Sequence, residues 1–279
     1  MPLTFFAHQV PVIPLKRWRP RWFDGLALCV GSMAPDFAYP LGSWLADHSH
    51  LAVGIIVWAV PFTLVACAVM RFRVAGAVYA QLPDCGPFRL HSYRVLGTRR
   101  PAFVLTLSSA FIGAVAHVAL DAFTHTDRLG SRLLGFDTYL FTIGPRDFTI
   151  AGTLQYLGHT VGSLVGLWLL WRIGRDRKLE AWYGSSAVAD ARDFTVTRTA
   201  RVVFWSIAAV GPAAGGVWAA NSDESIVFTL IVATLAAFSL AGWVVGPPSA
   251  RTAQLDDTRP HEGRDAVAQR QASHHQSLP

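Results

Sequence analysis

Five apolar windows, each close to the length that crosses a bilayer as an α-helix, constrain the fold of this chain more than any other feature. A hydrocarbon core of ~30 Å needs about twenty helical residues. The windows cover residues 51–70, 102–123, 154–171, 202–220 and 225–245. Only 15% of the 279 residues are charged, whereas about a quarter are charged in soluble domains. The sequence therefore predicts an all-α, polytopic membrane helix bundle with about five transmembrane helices.

The first fifty residues are apolar but do not form another clear span. Residues 22–46 could cross the membrane as a sixth helix, but Pro35, Asp36 and Pro40 leave apolar pieces of only about ten residues. Pieces of this length suit a re-entrant or interfacial segment better. The basic and aromatic run at residues 16–22 suits the head-group layer of a membrane. We predict an N-terminal interfacial or re-entrant helical segment.

This interpretation divides the chain into three parts. Residues 1–50 form the N-terminal segment, which contributes site residues, and residues 51–247 form the helix bundle. Residues 248–279 are rich in polar residues and have few large apolar ones, so they cannot build a core. We expect this last part to be a disordered cytoplasmic tail.

Arginine and lysine concentrate in two loops, at residues 71–100 and 172–198. Loops of this kind face the cytoplasm in multi-pass membrane proteins, so the boundary near residues 50, 125 and 155 should face the extracytoplasmic side. The formal net charge of +6 does not indicate nucleic-acid binding, because the arginines are dispersed between apolar windows instead of forming one basic face.

Three polar side chains stand four residues apart at the end of the second window: His117, Asp121 and His125. Residues four apart share one face of a helix, and ionisable side chains within a span are rare and mark functional sites. Neutral imidazole and carboxylate are both zinc ligands, and a pair at i and i+4 can reach one ion. The spacing predicts a divalent metal site, with zinc as the leading candidate.

Other polar residues fall at the same predicted membrane boundary, namely Asp36, His48, His50, Gln155 and His159. An open position on a zinc ion lowers the pKa of bound water to about 7, so hydrolysis is the chemistry that such a site supports. The sequence has no serine-hydrolase elbow, no phosphate-binding loop and no His-Glu-x-x-His motif. We therefore predict a metal-dependent hydrolase.

Each candidate also has a purely structural interpretation. His117 and Asp121 could form a hydrogen bond between helices, and His125 could be a solvated residue just beyond a helix end. Asp36 follows a proline and could simply turn the chain. We expect Gln155 to hydrogen-bond between helices. Either of the two histidines at positions 48 and 50 could be an interfacial polar residue.

A succession of motifs runs through residues 1–175: Met-Pro-Leu-Thr…His8, Gly31-Ser-Met-Ala-Pro-Asp36, Ser49-His50-x-x-x-Gly54, His117-x-x-x-Asp121-x-Phe-Thr-His125 and Gln155…Gly162. This succession resembles a family of bacterial membrane proteins grouped as domain of unknown function 4184. It is similar, more distantly, to inner-membrane metal-dependent hydrolases and to zinc-dependent phospholipase C. The resemblance does not reach the last two windows or the tail.

The resemblance to the phospholipases implies a cluster of metal ions. The ligands that it implies, together with the residue suggested by spacing, are His8, Asp36, His50, His117, Asp121 and His125. Four of them would hold one ion, and His8 with Asp121 would contact a second. A third ion would need His125, His159 and a glutamate, but Ser163 stands where that glutamate would fall.

The same resemblance requires His8 to lie on the same side of the membrane as the other ligands. The basic run at residues 16–21 suggests instead a cytoplasmic N-terminus, and the sequence leaves both possibilities open.

The sequence thus predicts a multi-pass protein of the bacterial plasma membrane with a metal-dependent, phosphoester-hydrolysing site on the extracytoplasmic side. Its partners would be membrane lipids and a lipid or cell-envelope phosphoester, and Asp36 or Asp121 would orient the attacking water. The alternative is a non-enzymatic membrane protein, a transporter or assembly factor, in which the same polar cluster binds an ion.

Overall fold

The computed structural model describes residues 6–222 and 226–248. The tail that we expect to be disordered therefore lies, from residue 249 onward, outside the described residues. The helices and strands are α1 (Ile13–Trp18), α2 (Gly25–Gly31), α3 (Ser43–Ser49), α4 (Ala52–Gln81), α5 (Phe103–Thr124), α6 (Leu129–Leu134), β1 (Tyr139–Ile143), β2 (Arg146–Thr149), α7 (Ile150–Arg175), α8 (Lys178–Tyr183), α9 (Ser185–Arg192), α10 (Arg198–Ala220) and α11 (Ile226–Val245). Short 3-10 turns cover Ala7–Gln9, Asp36–Leu41, Gly86–Phe88 and Leu90–Gly97.

The prediction of an all-helical membrane bundle is confirmed. Among the described helices, α4, α5, α10 and α11 are long and apolar enough to cross a membrane, and they correspond to four of the five predicted windows. The fifth window, residues 154–171, lies inside α7. This helix has 26 residues, but it carries Gln155 and His159 and is not one of the four that meet both criteria.

The first spanning helix is longer than its apolar window, because α4 continues to Gln81. A π-helical turn, Met70–Val74, lies within this extension. Arg71, which the sequence analysis assigns to a cytoplasmic loop, lies in that turn, where it is buried and forms an ion pair with Asp24. The prediction that a loop begins directly after residue 70 is therefore wrong, and the paired carboxylate explains why the helix tolerates a buried arginine.

The N-terminal segment runs along α5 away from His117 and then back toward it. At one end, the ring of His8 stacks on that of His117, with centroids 4.2 Å apart. At the other end, Thr106 donates a hydrogen bond to the carboxylate of Asp24 at 2.8 Å. At 1.5 Å per residue, the part of α5 between Thr106 and His117 covers about 16 Å. After Asp24, helix α2 returns the chain to the level of His117.

This path removes the conflict between His8 and the basic run. The ammonium group of Lys16 donates to the carbonyl oxygens of Pro20 and Phe23 at 2.6 and 2.8 Å, close to the Asp24 end of the segment. The two features therefore lie at opposite ends of a re-entrant path. Because α2 has only seven residues, residues 22–46 do not form a sixth transmembrane helix.

Helix α2 touches α5 backbone to backbone. A β-carbon on Gly113 would lie 2.5 Å from the carbonyl oxygen of Leu28, and one on Gly31 would lie 2.5 Å from that of Ala110. Only glycine allows this approach at both positions. The contact brings residue 32 and the following turn against the end of α5, where the polar side chains lie.

The chain adds a β-hairpin and a pair of helices that do not build the polar cluster. Strands β1 and β2 pair antiparallel between α5 and α7; the sequence analysis did not predict them, because it interpreted this loop from its charges alone. Helices α10 and α11 pack together around Phe204, Ala208 and Ala241, against Val78 of α4. Their described residues supply no member of the polar cluster, in line with a supporting role.

Candidate metal centre

Four side chains from three separate parts of the chain converge on one point: Asp36, His50, His117 and Asp121. One donor atom from each residue lies within 4.8 Å of all the others. Asp36 begins the 3-10 turn after α2, His50 follows α3, and the other two residues lie one turn apart near the end of α5. Residues that are far apart in sequence therefore form a single donor set.

The spacing of the four donors fits a small, four-coordinate cation. Ligand atoms arranged tetrahedrally about zinc at ~2.0–2.2 Å are separated by about 3.3–3.6 Å. Nε2 of His50 lies 3.2 Å from Asp36 Oδ1 and 3.4 Å from Asp121 Oδ2. Nε2 of His117 lies 3.4 Å from Asp36 Oδ1 and 3.3 Å from Asp121 Oδ2. The two Nε2 atoms are 3.2 Å apart. Five of the six separations are thus close to those expected around one ion.

Hydrogen bonds to the other ring nitrogens orient both imidazoles. Nδ1 of His117 lies 2.8 Å from the carbonyl oxygen of Ser32, which can only accept, so this nitrogen carries a proton. Ser49 Oγ donates to the carbonyl oxygen of Ala46 at 2.9 Å, and so it accepts from Nδ1 of His50 at 2.9 Å. In the neutral form of each ring, the lone pair of Nε2 therefore points into the cluster. Partners of this kind are characteristic of histidines that bind metals.

The cluster is shielded from solvent and carries two carboxylates. The exposed fractions of the four residues are 0% for His117, 2% for Asp36, 4% for Asp121 and 6% for His50. Burial alone would raise the pKa of Asp36, but when the cluster holds protons in place of a cation, the charge on His117 and hydrogen bonds from both histidines outweigh burial and lower the pKa to about 2. Asp36 is therefore ionised at neutral pH. Two buried carboxylates require compensating positive charge, which one divalent cation would supply.

A second group of donors lies on the other side of Asp121. Its Oδ1 atom, which has no hydrogen-bond partner among the described residues, lies 3.7 Å from His8 Nε2 and 3.6 Å from His125 Nδ1. The ring of His159 lies 6.0 Å from that of His8. Both ring nitrogens of His8 and of His159 are buried without a hydrogen-bond partner among the described residues.

The protonation of His8 suits a ligand role. Burial, followed by the charge of His117, lowers the pKa of His8 to about 3, so the ring is neutral. One of its nitrogens then carries a proton and the other carries a lone pair. Buried polar atoms are rarely left without partners. An ion or water between His8, His159 and Asp121 would satisfy these atoms.

Two glycines on α7 place His8 there. A β-carbon on Gly162 would lie 2.9 Å from the β-carbon of Ala7, and one on Gly166 would lie 2.8 Å from the β-carbon of Phe6. The N-terminal turn can therefore lie directly against α7. No local signal in the N-terminal residues predicts this contact.

The remaining sequence candidates take distinct positions. His125 is at the rim, with 22% of its side chain exposed, and its Nε2 lies 2.7 Å from the amide nitrogen of Gln155, so Gln155 does bridge two helices as expected. Because this nitrogen can only donate, Nδ1 of His125 becomes free to bind a metal when the Gln155 amide turns its oxygen toward Nε2. His48 stacks on Trp44, and its Nδ1 lies 2.7 Å from the Trp44 carbonyl oxygen; it is not part of the four-residue cluster. Sequence reasoning missed the orienting residue Ser49, for which an adjacent histidine is the only local signal.

Comparison with known proteins gives a family but no activity. The sequence model of a family described as Domain of unknown function (DUF4184) matches residues 1–246, which include every residue of both donor groups and all four spanning helices. No curated protein matches the chain, and no solved structure does so.

Proposed function

The chain belongs to the DUF4184 family, and from this premise we propose that it is a membrane-embedded, metal-dependent phosphoester hydrolase. Its place would be the bacterial plasma membrane, with the metal centre facing the extracytoplasmic side. Its substrate would be a lipid or cell-envelope phosphoester, and its metal would be zinc.

The observation that carries this proposal is the convergence of four donors on one point. With both carboxylates ionised, protons could balance their charge only if both imidazoles were cationic, and the N–H groups of His50 and His117 would then face each other with nitrogens 3.2 Å apart. A single divalent cation would satisfy both lone pairs and both carboxylates. Two nitrogen and two oxygen donors form a set that zinc accepts readily.

A divalent cation bound at this point would acidify a water molecule and offset negative charge on a phosphoryl oxygen. The protein's own contribution would be to orient that water. Asp36 uses Oδ1 in the cluster, and its Oδ2 is buried with no hydrogen-bond partner among the described residues. This free carboxylate oxygen is suited to accept a proton from the water.

The second donor group suits a two-cation site of the kind that cleaves phosphoesters. Asp121 directs Oδ2 into the four-residue cluster and Oδ1 toward His8 and His125, so its two oxygens could hold one cation each. Pairs of cations about 3.5–4 Å apart are characteristic of phosphatases and nucleases, where they stabilise the attacking and the leaving oxygen. The partly exposed side chain of His125 marks the direction from which a substrate would approach.

The nearly complete burial of the four-residue cluster favours a second candidate function. A closed set of four ligands with no free position is typical of structural metal sites. In that case the ion would hold the N-terminal segment against α5, and the protein would be a non-enzymatic transporter or assembly factor.

The two functions differ in metal content and turnover. Protein purified in mild detergent, stripped with a chelator and reloaded with zinc would be assayed for bound metal by mass spectrometry. Hydrolysis would be measured with bis(p-nitrophenyl) phosphate and with a panel of lipid phosphoesters. We expect stoichiometric metal and turnover in the wild-type protein.

The chain offers a matched pair of histidine variants. His50→Ala removes one ligand and should abolish turnover and weaken metal binding, whereas His48→Ala, two residues away, should change neither. Bound metal without turnover against any substrate would favour the non-enzymatic function. Absence of bound metal in the reloaded protein would overturn both.

A further inference from the structure

An apolar cavity of about 250 Å³, partly open to its surroundings, lies between the N-terminal segment, the end of α4, and helices α7 and α8. Among the side chains that line it are Leu28, Cys29, Tyr79, Tyr93, Leu170 and Ile173. Apolar cavities of similar size bind apolar molecules. Lining atoms that face an empty space also lose dispersion contacts, so an apolar occupant would be favoured.

One end of the cavity adjoins the candidate metal centre. Gln9 and Met33 line this end, and the side-chain amide of Gln9 donates to the sulfur of Met33. Gln9 follows His8 in the chain, and Met33 follows Ser32, whose carbonyl oxygen orients His117. The wall of the cavity and the wall of the metal centre are therefore formed by the same two turns of backbone.

Lys16 lies at the other end of the cavity and is the only charged residue among the described residues that line it. Its ammonium group donates to two backbone carbonyl oxygens and lies 5.6 Å from the ring of Trp182 and 5.3 Å from that of Tyr183. Carbonyl oxygens and aromatic faces satisfy this charge. It is therefore not positioned as a receptor for an anionic group inside the cavity.

We propose that this cavity binds one hydrocarbon chain of a lipid phosphoester whose phosphate lies at the candidate metal centre. The binding of the chain stands on the cavity alone, and the position of the phosphate rests on the proposed function. The cavity extends from the level of His8 toward that of Lys16, which is the direction in which a chain would run from a phosphate held at the centre. The substrate class is then a phosphoester with a long apolar chain.

Monoalkyl phosphates of four to twelve carbons provide the probe. In protein held in lipid nanodiscs, we expect affinity to rise with each methylene, by at most about fourfold per group, until the cavity is full. Partition of the probe into the lipid adds its own dependence on chain length. The comparison is therefore made between variants at a fixed chain length, where that dependence cancels.

Cys29→Phe places a larger side chain in the cavity, and Val65→Phe makes a comparable change on α4 at a position that is 64% exposed. We expect Cys29→Phe to weaken binding of dodecyl phosphate at least tenfold relative to butyl phosphate, and Val65→Phe to leave that ratio unchanged. Leu170→Trp fills the cavity from α7 and gives a second test if the first variant does not fold, which bound metal and thermal unfolding report.

The outcomes separate this inference from the proposed function. Equal discrimination between dodecyl and butyl phosphate in wild-type and both cavity-filled variants overturns the inference, even if both phosphates are hydrolysed. If the wild-type protein discriminates by chain length and the cavity-filled variants do not, the inference is supported. If, in addition, no phosphoester is hydrolysed, the proposed function fails while chain binding stands. Equal loss of discrimination in Val65→Phe also overturns it, because the effect would then be unrelated to the cavity.

Discussion

Asp24 and Arg71 form a buried ion pair that joins the start of α2 to a π-helical turn of α4. Asp24 also accepts a hydrogen bond from the amide of Leu26, which caps α2, and one from Thr106 of α5. This single carboxylate ties three elements together at one end of α2, while the other end of α2 leads into the turns that supply Ser32 and Asp36. The metal centre is therefore built on a helix that is anchored at its far end.

We expect Asp24→Asn to destabilise the protein by about 3 kcal/mol, because it leaves the guanidinium of Arg71 buried without a counter-charge. Thermal unfolding in detergent measures this change. Asp176→Asn is the control, because its ion pairs with Arg172 and Arg175 lie at the protein surface and the unfolding midpoint should not move. Equal midpoints for wild type and Asp24→Asn would show that the pair does not anchor α2.

Gly113→Ala tests the contact between α2 and α5. Its β-carbon would meet the carbonyl oxygen of Leu28 at 2.5 Å and the amide of Ser32 at 2.9 Å, and backbone atoms cannot give way as a flexible side chain can. We expect a loss of about 1–3 kcal/mol in unfolding free energy. Gly216→Ala in α10 meets no atom within 4 Å and should instead stabilise the helix by about 0.5–1 kcal/mol. Opposite shifts of the two unfolding midpoints are the expected result, and shifts of the same sign would contradict it.

The sequence predicts the two residues of the centre whose spacing in the chain is itself a signal. His117 and Asp121 are one helical turn apart in an apolar helix, and that pattern alone marks them as a site. Asp36 and His50 carry no such local signal and stand out only by their place at the predicted membrane boundary, and His8 enters only through a family resemblance. They meet the first pair because the N-terminal segment doubles back along α5, and that path depends on contacts between residues distant in the chain.

The length of α4 shows the same limit. A hydropathy window ends at residue 70 because arginines follow, and the window cannot register that Arg71 is neutralised by a carboxylate 47 positions away. The β-hairpin of β1 and β2 lies in a loop whose charges, which indicate the side of the membrane, carry no signal for strands. The helical class and four of the five predicted spans, in contrast, follow from length and composition alone, because the bilayer constrains both.

Ser49→Ala tests the orientation of His50. The serine hydroxyl accepts from Nδ1 of this ring, and removing such a partner typically weakens metal binding about 10- to 100-fold without removing a ligand. Competition with a metal indicator of known affinity measures the change in chelator-stripped protein. Ser108→Ala, whose hydroxyl donates only to the carbonyl of Leu105 on an exposed face, should bind zinc as the wild type does. An unchanged affinity in Ser49→Ala would show that the ring is held by its other contacts.

The double role of Asp121 predicts how many equivalents of zinc each variant binds. Because Oδ2 faces the four-residue cluster and Oδ1 faces His8 and His125, Asp121→Ala should reduce both equivalents in a zinc titration of stripped protein. His125→Ala removes a donor from the second group alone, so it should lose one equivalent and keep the other near its wild-type affinity. His48→Ala, outside both groups, should keep two. If His125→Ala instead lost both equivalents, or if wild-type protein bound only one, Asp121 would not bridge two ions and the phosphoester assignment would lose its main structural support.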